Sequence, residues 1–210
     1  MIQSTSTKTR NRIGVCALFA CATPMLIAQE QHKRDVADLY QLQAAFHRAA
    51  SVSDPINGDS TEVIDQRVRD VLALFTNDAF LVLSVGNNAR DGNYVGRGDP
   101  SDPSTCPQPS TTSMTRGTLC SFFKYVSGSF QPANKFVSLA PSYKTSFEVH
   151  GQTATVYFEC HYFNVAADSS SGAPLWSPAS RVVFDGGARK VDGRWLFTHV
   201  TAPAAGVPLP

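Results

Sequence analysis

The stretch Thr145-Ser-Phe-Glu-Val-His-Gly-Gln-Thr-Ala-Thr-Val-Tyr-Phe-Glu-Cys-His-Tyr-Phe-Asn-Val165 decides how this chain reads. Two β-rich arms meet at His150-Gly151, where glycine supplies the positive φ of a tight hairpin turn. The second arm alternates: Ala154, Val156, Phe158, Cys160 and Tyr162 point to one face, and Thr155, Tyr157, Glu159, His161 and Phe163 to the other. An arm of this length floors a curved sheet.

Further strands follow it. Ser180–Asp185 continues toward Val191, with Asp185-Gly186-Gly187 marking a bulge or bend. Asp192-Gly193 is a hairpin turn into Arg194–Thr201. Ala166–Pro178 reads as a loop with Trp176 as its anchor, and residues 202–210 form a proline-rich tail.

Ahead of the hairpin the pattern is helical. Val36, Leu39, Tyr40, Phe46 and Ala50 make one helix face between Arg34 and Ala50, with Gln43 as the one lapse. Ser53–Asp59 breaks it, Ser60 is a candidate N-cap, and Ile64, Val68, Val71, Leu72 and Phe75 form a second amphipathic face. Ala79–Val85 reads as a buried strand. The polar segment from Gly86 to Gly117 is long enough to be a lid, a binding loop or an insertion. Its Arg97-Gly98-Asp99 is too short a match to carry an adhesion role. Leu119–Val126 is a third, short helix. Helices first and a meander of long strands afterwards predict an α+β domain, its helices packed on one face of a strongly bent sheet.

The N-terminus has a different character. Lys8, Arg10 and Arg12 precede an apolar run from Ile13 to Ala28, the layout of a secretory signal peptide over residues 1–28, with cleavage after Ala22 or Ala28. Leu18-Phe19-Ala20-Cys21 also has the form of a lipoprotein leader, which would anchor the chain to a membrane through Cys21. The expected location is therefore periplasmic or secreted, and the folded domain spans residues 29–201. An oxidising compartment suits the remaining cysteines. Cys106 and Cys120 bracket a segment with little means of packing itself, so they are expected to form a disulfide. Cys160 is then a buried thiol on a strand.

The 210 residues are 42% hydrophobic and 10% aromatic, enough for a sizeable core, and the net charge of +1 leaves no basic face for nucleic acid. No Cys-x-x-Cys occurs and the five histidines are scattered, so no metal or other cofactor is expected.

Four stretches in this order resemble the nuclear transport factor 2-like superfamily, in particular its SnoaL-like branch. They are Leu42-Gln-Ala-Ala-Phe-His-Arg-Ala49, Leu72-Ala-Leu-Phe-Thr-Asn-Asp-Ala79, Val149-His-Gly-Gln-Thr-Ala-Thr-Val156 and Lys190-Val-Asp-Gly-Arg-Trp-Leu-Phe197. The resemblance implies a cone-shaped α+β barrel, commonly a homodimer, with a pocket between the concave sheet and the helices. It spans isomerases, dehydratases, cyclases, hydrolases and non-enzymatic binders. The tyrosine and aspartate of its isomerases correspond here to positions near Phe46 and Leu83, where neither group stands.

Acid–base chemistry in such a pocket needs a titratable group beside a desolvated carbon. His199 is the first candidate, because Trp195, Phe197 and His199 share a strand face and the resemblance implies that this tryptophan turns inward. Otherwise it is a strand-end histidine bonded to backbone. Tyr40 offers a phenol from the first helix or packs with its hydroxyl at the rim. Phe46, Phe75, Tyr162 and Trp195 line an apolar cavity, or are simply core. His47 is either pocket-lining or solvated. Asp78 reads as a turn residue, and Glu159 with His161 as a structural pair facing outward or into a dimer interface. Three functions fit: a cofactor-independent lyase, isomerase or hydrolase acting through His199 and Tyr40 on a small apolar molecule; a carrier of such a molecule; or an interaction protein with a filled cone.

Overall fold

The computed structural model describes residues 16–54, 56–83, 92–99, 101, 106, 116–129, 136–139 and 144–202. Helices α1 (Cys16–Ala50) and α2 (Thr61–Leu72) lead into strands β1 (Phe75–Leu83), β2 (Gly92–Val95) and β3 (Arg116–Gly117). Helix α3 (Leu119–Ser129) follows, then β4 (Phe136–Leu139), β5 (Ser146–His150), β6 (Thr153–Ala167), β7 (Pro174–Val191) and β8 (Arg194–Ala202). The strands form one sheet in the order β3-β2-β1-β8-β7-β6-β4, with β5 also paired to β6. Most neighbours run antiparallel, but β1 pairs with β8 in parallel and β2 with β3 likewise. The architecture is the expected α+β cone: helices over one face of a long, mostly antiparallel sheet.

The hairpin that decides the fold is present in the expected register. Val149 pairs with Ala154 and His150 with Thr153 across Gly151, whose φ is +64°. The even positions of β6 from Ala154 to Cys160 are buried in the core. The side chain of Tyr162 lies outside the described residues.

Several boundaries differ from the sequence reading. Phe75 opens β1 instead of closing α2, because it pairs with Phe197 of β8 and the Leu74 carbonyl accepts a 2.8 Å hydrogen bond from the Phe197 N–H. Strand β7 begins at Pro174, within the expected loop, since β6 continues to Ala167 and holds it in register. Trp176 is consequently an exposed strand residue and not the anchor of a loop. Strand β4 was not foreseen. The long segment after β1 is partly built into the fold: β2 and β3 come from it, while residues 84–91 and 107–115 lie outside the described part. The tail 203–210 lies outside it as well.

Two local devices hold the helices. Ser60 caps α2, its side chain accepting from the Val63 N–H at 3.4 Å. Arg67 of α2 reaches across to the end of α1, donating to the Ala49 and Ala50 carbonyls at 3.3 and 3.1 Å, two groups that a helix terminus leaves unsatisfied. Its remaining nitrogen meets Asp59 Oδ2 at 2.6 Å, and both side chains are buried. Farther up α1, the buried Asp35 accepts from Trp195 Nε1 at 3.2 Å and pairs with Lys190, tying the helix to β8 and β7.

The disulfide joins Cys106 and Cys120, whose Cα atoms are 5.7 Å apart. It closes a loop of sequence separation 14, for which chain entropy contributes about 3 kcal/mol. Gly98 sits against it. A Cβ there would lie 2.7 Å from Cys120 Cβ, and φ is +78 to +79° at Gly96 and Gly98, so the Gly-Arg-Gly turn is a packing device for this bridge.

Candidate functional site

The interior between α1 and the sheet is aromatic. Phe46 projects from α1 into a ring of Phe75, Phe123, Phe158, Phe184 and Phe197, with centroid separations from 5.6 to 6.3 Å and edge-to-face tilts. Trp195 is buried as well, with its indole N–H committed to Asp35. Of the four residues expected to line a cavity, Phe46 and Phe75 meet in this cluster and Trp195 stands beside it.

His199 stands elsewhere. The ladder slips between Phe197 and His199 on both sides, against Phe75/Phe80 of β1 and against Gly187/Ala188 of β7. A bulge at Thr198 therefore reverses the alternation, and Val200 takes the inward position that a regular strand would give His199. The imidazole stacks on the exposed ring of Phe80 at 4.9 Å and 11°, with Nδ1 3.1 Å from Thr198 Oγ1. Beneath it is Gly187, where a Cβ would come within 2.6 Å of the ring, so this glycine makes room for the imidazole, while Gly186 makes room for the His199 backbone carbonyl. His199 thus borders an open groove of about 510 Å³ on the outer face, together with His150, Thr155, Asp185 and Arg189.

Tyr40 is turned outward too. It is 42% exposed and packs edge-on against Phe147 at 4.8 Å. The buried face of α1 is Asp35, Leu39, Leu42, Gln43, Phe46 and His47, rotated away from Tyr40. The fold does not bring His199 and Tyr40 together. Asp78 is exposed and pairs with Arg189 at 3.2 Å, but it lies within β1 and not in a turn, because that strand already opens at Phe75. Glu159 and His161 face each other at 3.7 Å on the sheet side opposite Phe158 and Cys160, with the Tyr157 hydroxyl donating to Glu159 at 3.2 Å.

The polar group that does enter the aromatic interior is His47. It is buried, lies 5.6 Å from the Phe158 ring, and has Cys160 Sγ 3.3 Å from Nδ1. The same sulfur is 3.8 Å from Nε2, which the Gln43 amide nitrogen faces at 3.5 Å while it donates to Thr145 Oγ1 at 3.1 Å. Burial disfavours the imidazolium and pushes the pKa down to about 4. The cluster is a neutral imidazole between a thiol and a carboxamide, walled by phenylalanines. It is arranged to accept or pass a proton at a desolvated position. Sequence reasoning placed His47 only at the edge of the helix face. The available signal was Gln43: a polar residue interrupting an apolar stripe one turn before a histidine marks a buried polar pair.

The titration follows from burial. In the unfolded chain His47 protonates near pH 6.5, and in the folded state near 4. Above pH 6.5 neither state holds the proton; between the two values only the unfolded chain does. The contribution is therefore fully present above pH 6.5 and is lost as pH falls toward 4. An NMR titration of the His47 ring should show no protonation above about pH 5, and His47→Gln should flatten this part of the stability-versus-pH curve. A midpoint near 6.5 in the folded protein would contradict the burial.

Among the described residues, no three histidine, cysteine or acidic side chains converge to hold a metal ion. No helix among them is long and apolar enough to cross a membrane.

No protein-family model matches the sequence, and no curated protein does. Solved structures do match the fold. A nuclear transport factor 2-like protein with a cystatin-like fold from Novosphingobium aromaticivorans superposes with a TM-score of 0.52 at 12% identity, covering 84% of this chain and 86% of its own. A Nostoc punctiforme protein of unknown function with a cystatin-like fold gives 0.50 at 12% identity, covering 84% and 94%. A Mycobacterium tuberculosis protein of unknown function gives 0.50 at 13%, covering 82% and 73%. The chain is an α+β cone with a helix-covered concave sheet. Its fold is that of the nuclear transport factor 2-like superfamily.

Proposed function

We propose that the chain is an exported, SnoaL-like small-molecule-binding domain, taking a small, largely apolar ligand between α1 and the concave sheet beside His47. The observation that carries this reading is the burial of an uncharged His47 between Cys160 and Gln43 in an aromatic interior. Burying polar groups costs free energy that an apolar core would avoid, and titratable groups with shifted pKa values concentrate at functional sites. The chemistry proposed is cofactor-independent proton transfer of the lyase, isomerase or hydrolase kind, with His47 in the role first given to His199 and Tyr40. Carriage of a hydrophobic ligand without turnover is the second reading, favoured by Phe46 and Leu83 standing where the isomerases have their tyrosine and aspartate.

Export is part of the same proposal. Met25, Leu26 and Ile27 are exposed on the first part of α1, whose first buried side chain among the described residues is Asp35. Apolar residues left unpacked there suit a leader removed after Ala28, since cleavage after Ala22 would leave them on the mature chain. Pairing into a homodimer through the outer sheet face is supported by the exposed Phe80 and Val95 on adjacent strands.

Native mass spectrometry of protein purified from the periplasm tests the reading. A retained small apolar molecule, lost or weakened in His47→Gln, is expected. Protein that carries nothing and takes up no apolar probe such as N-phenylsuccinimide would overturn it.

A further inference from the structure

We infer that the outer-face groove beside His199 binds a planar heteroaromatic molecule, one edge of which carries adjacent N–H donors and the opposite edge an acidic group. The groove lies on the opposite face of the sheet from the interior site and is independent of it. One row of residues crosses four strands here. Phe80 of β1 pairs with His199 of β8, His199 with Gly187 of β7, and Gly187 with Thr155 of β6. The rings of Phe80 and His199 stand as plates 4.9 Å apart and 11° from parallel. Strand β8 lies between β1 and β7, so Phe80 covers one face of the imidazole and the other looks toward β7.

The next position in the row is a glycine, and no side chain rises from it. Two strand spacings, roughly 9–10 Å, separate the backbones of β8 and β6. The imidazole leans over Gly187, where a Cβ would meet its Cε1 at 2.6 Å and its Nδ1 at 3.0 Å. Between the imidazole and Thr155 there remains a slot floored by bare backbone, part of the groove of about 510 Å³. Small-molecule sites run to roughly 300–1,000 Å³, so the groove is of ligand size. A flat ring gains most from such a slot, because it continues the Phe80–His199 stack with its whole face.

The two ends of the slot set the chemistry of the ring's edges. Asp185 and Arg189 flank Gly187 on the same face of β7, opposite Tyr157 and Thr153 in an unbroken stretch of the β6 ladder, and both line the groove. The exposed Asp185 carboxylate accepts two hydrogen bonds side by side, as adjacent N–H donors on a ring edge offer them. The Arg189 guanidinium takes an acidic group at the other end. Its partner here is the exposed Asp78 at 3.2 Å, a surface pair that a ligand's acid displaces at little cost. The Cα atoms of Asp185 and Arg189 stand about 13 Å apart along the strand, which suits a fused two-ring heterocycle with its hydrogen bonds better than a single ring.

Pterin-6-carboxylate tests this on the full chain: it is a fluorescent, fused two-ring probe with the N–H edge at one end and a carboxylate at the other. It should bind the wild-type protein with quenching of its fluorescence. His199→Ala should weaken binding about tenfold or more, the worth of one stacked ring, and His199→Phe should restore it. Asp185→Asn should weaken it about tenfold through loss of the charged acceptor. Naphthalene-2-carboxylate, of similar size but without N–H donors, should bind wild type and Asp185→Asn alike. Gly187→Val should abolish binding by filling the slot. If that variant fails to fold by circular dichroism, His199→Ala and Asp185→Asn decide. No binding to wild type, or binding unchanged in His199→Ala, overturns the inference. So does binding confined to protein dilute enough to be monomeric, which would show a second copy seated over the groove. N-phenylsuccinimide, directed at the interior, should not displace the pterin; displacement would put both probes in one place and overturn the inference as well. Loss of succinimide uptake with pterin binding intact removes only the interior site, and the reverse removes only this one.

Discussion

Phe46→Ala should cost about 3–5 kcal/mol of folding stability, read as a lower midpoint in urea denaturation followed by circular dichroism. The ring is 4% exposed and stands among five phenylalanines drawn from β1, α3, β6, β7 and β8. Truncation removes the apolar burial and leaves a void that these rings cannot all close, since each is held by its own strand or helix. A loss below about 1 kcal/mol would mean that the helix–sheet interface does not centre on Phe46. Phe46→Leu should recover most of the loss, because it keeps most of the buried volume.

Arg67→Ala should be comparably severe, about 3–5 kcal/mol, for an electrostatic reason. Asp59 is buried and receives the Ser53 and Asp54 N–H groups at 2.8–3.1 Å as well as Arg67 at 2.6 Å. Without the guanidinium, a carboxylate stays in the interior with its cation gone, and the last carbonyls of α1 lose their two donors. Arg67→Lys should fall between wild type and alanine, since an ammonium replaces the charge but cannot fork to two carbonyls and a carboxylate together. The check is the urea midpoint of each variant; equal stability of the alanine variant and wild type would show the clamp to be energetically idle.

Much of the fold is legible from local patterns. The alternation of β6, the glycine at 151, the Asp192-Gly193 turn and the helical stripe over Leu39 and Phe46 each follow from the period of one element. The disulfide is legible from two cysteines bracketing a segment that has little else to hold it. The site is less so. His199 was assigned by extrapolating alternation from Trp195 through Phe197, and one extra residue at Thr198 reverses it. Gly186-Gly187 announced an irregularity on β7, but a bulge acts on whichever strand it faces, and that partner is set by sheet order. Tyr40 was assigned to a helix face drawn from hydrophobicity alone. The face that is buried is the one that Asp35 and Gln43 share, because Asp35 finds Lys190 and Trp195 in the sheet and Gln43 finds Thr145 just ahead of β5.

By itself the sequence determined the class of protein: an α+β domain, helices before a long-stranded meander, resembling the SnoaL-like branch. Those features depend on residue periodicity and turn chemistry, which act over a few neighbours. Only the tertiary structure decided which histidine enters the interior. His47 and Cys160 are 113 positions apart and meet because α1 lies across the inward face of β6, with Thr145 at the mouth of the hairpin completing the network through Gln43. Burial under the sheet keeps the imidazole neutral, and its contact with Cys160 comes from a strand remote in the chain, so no local pattern encodes either.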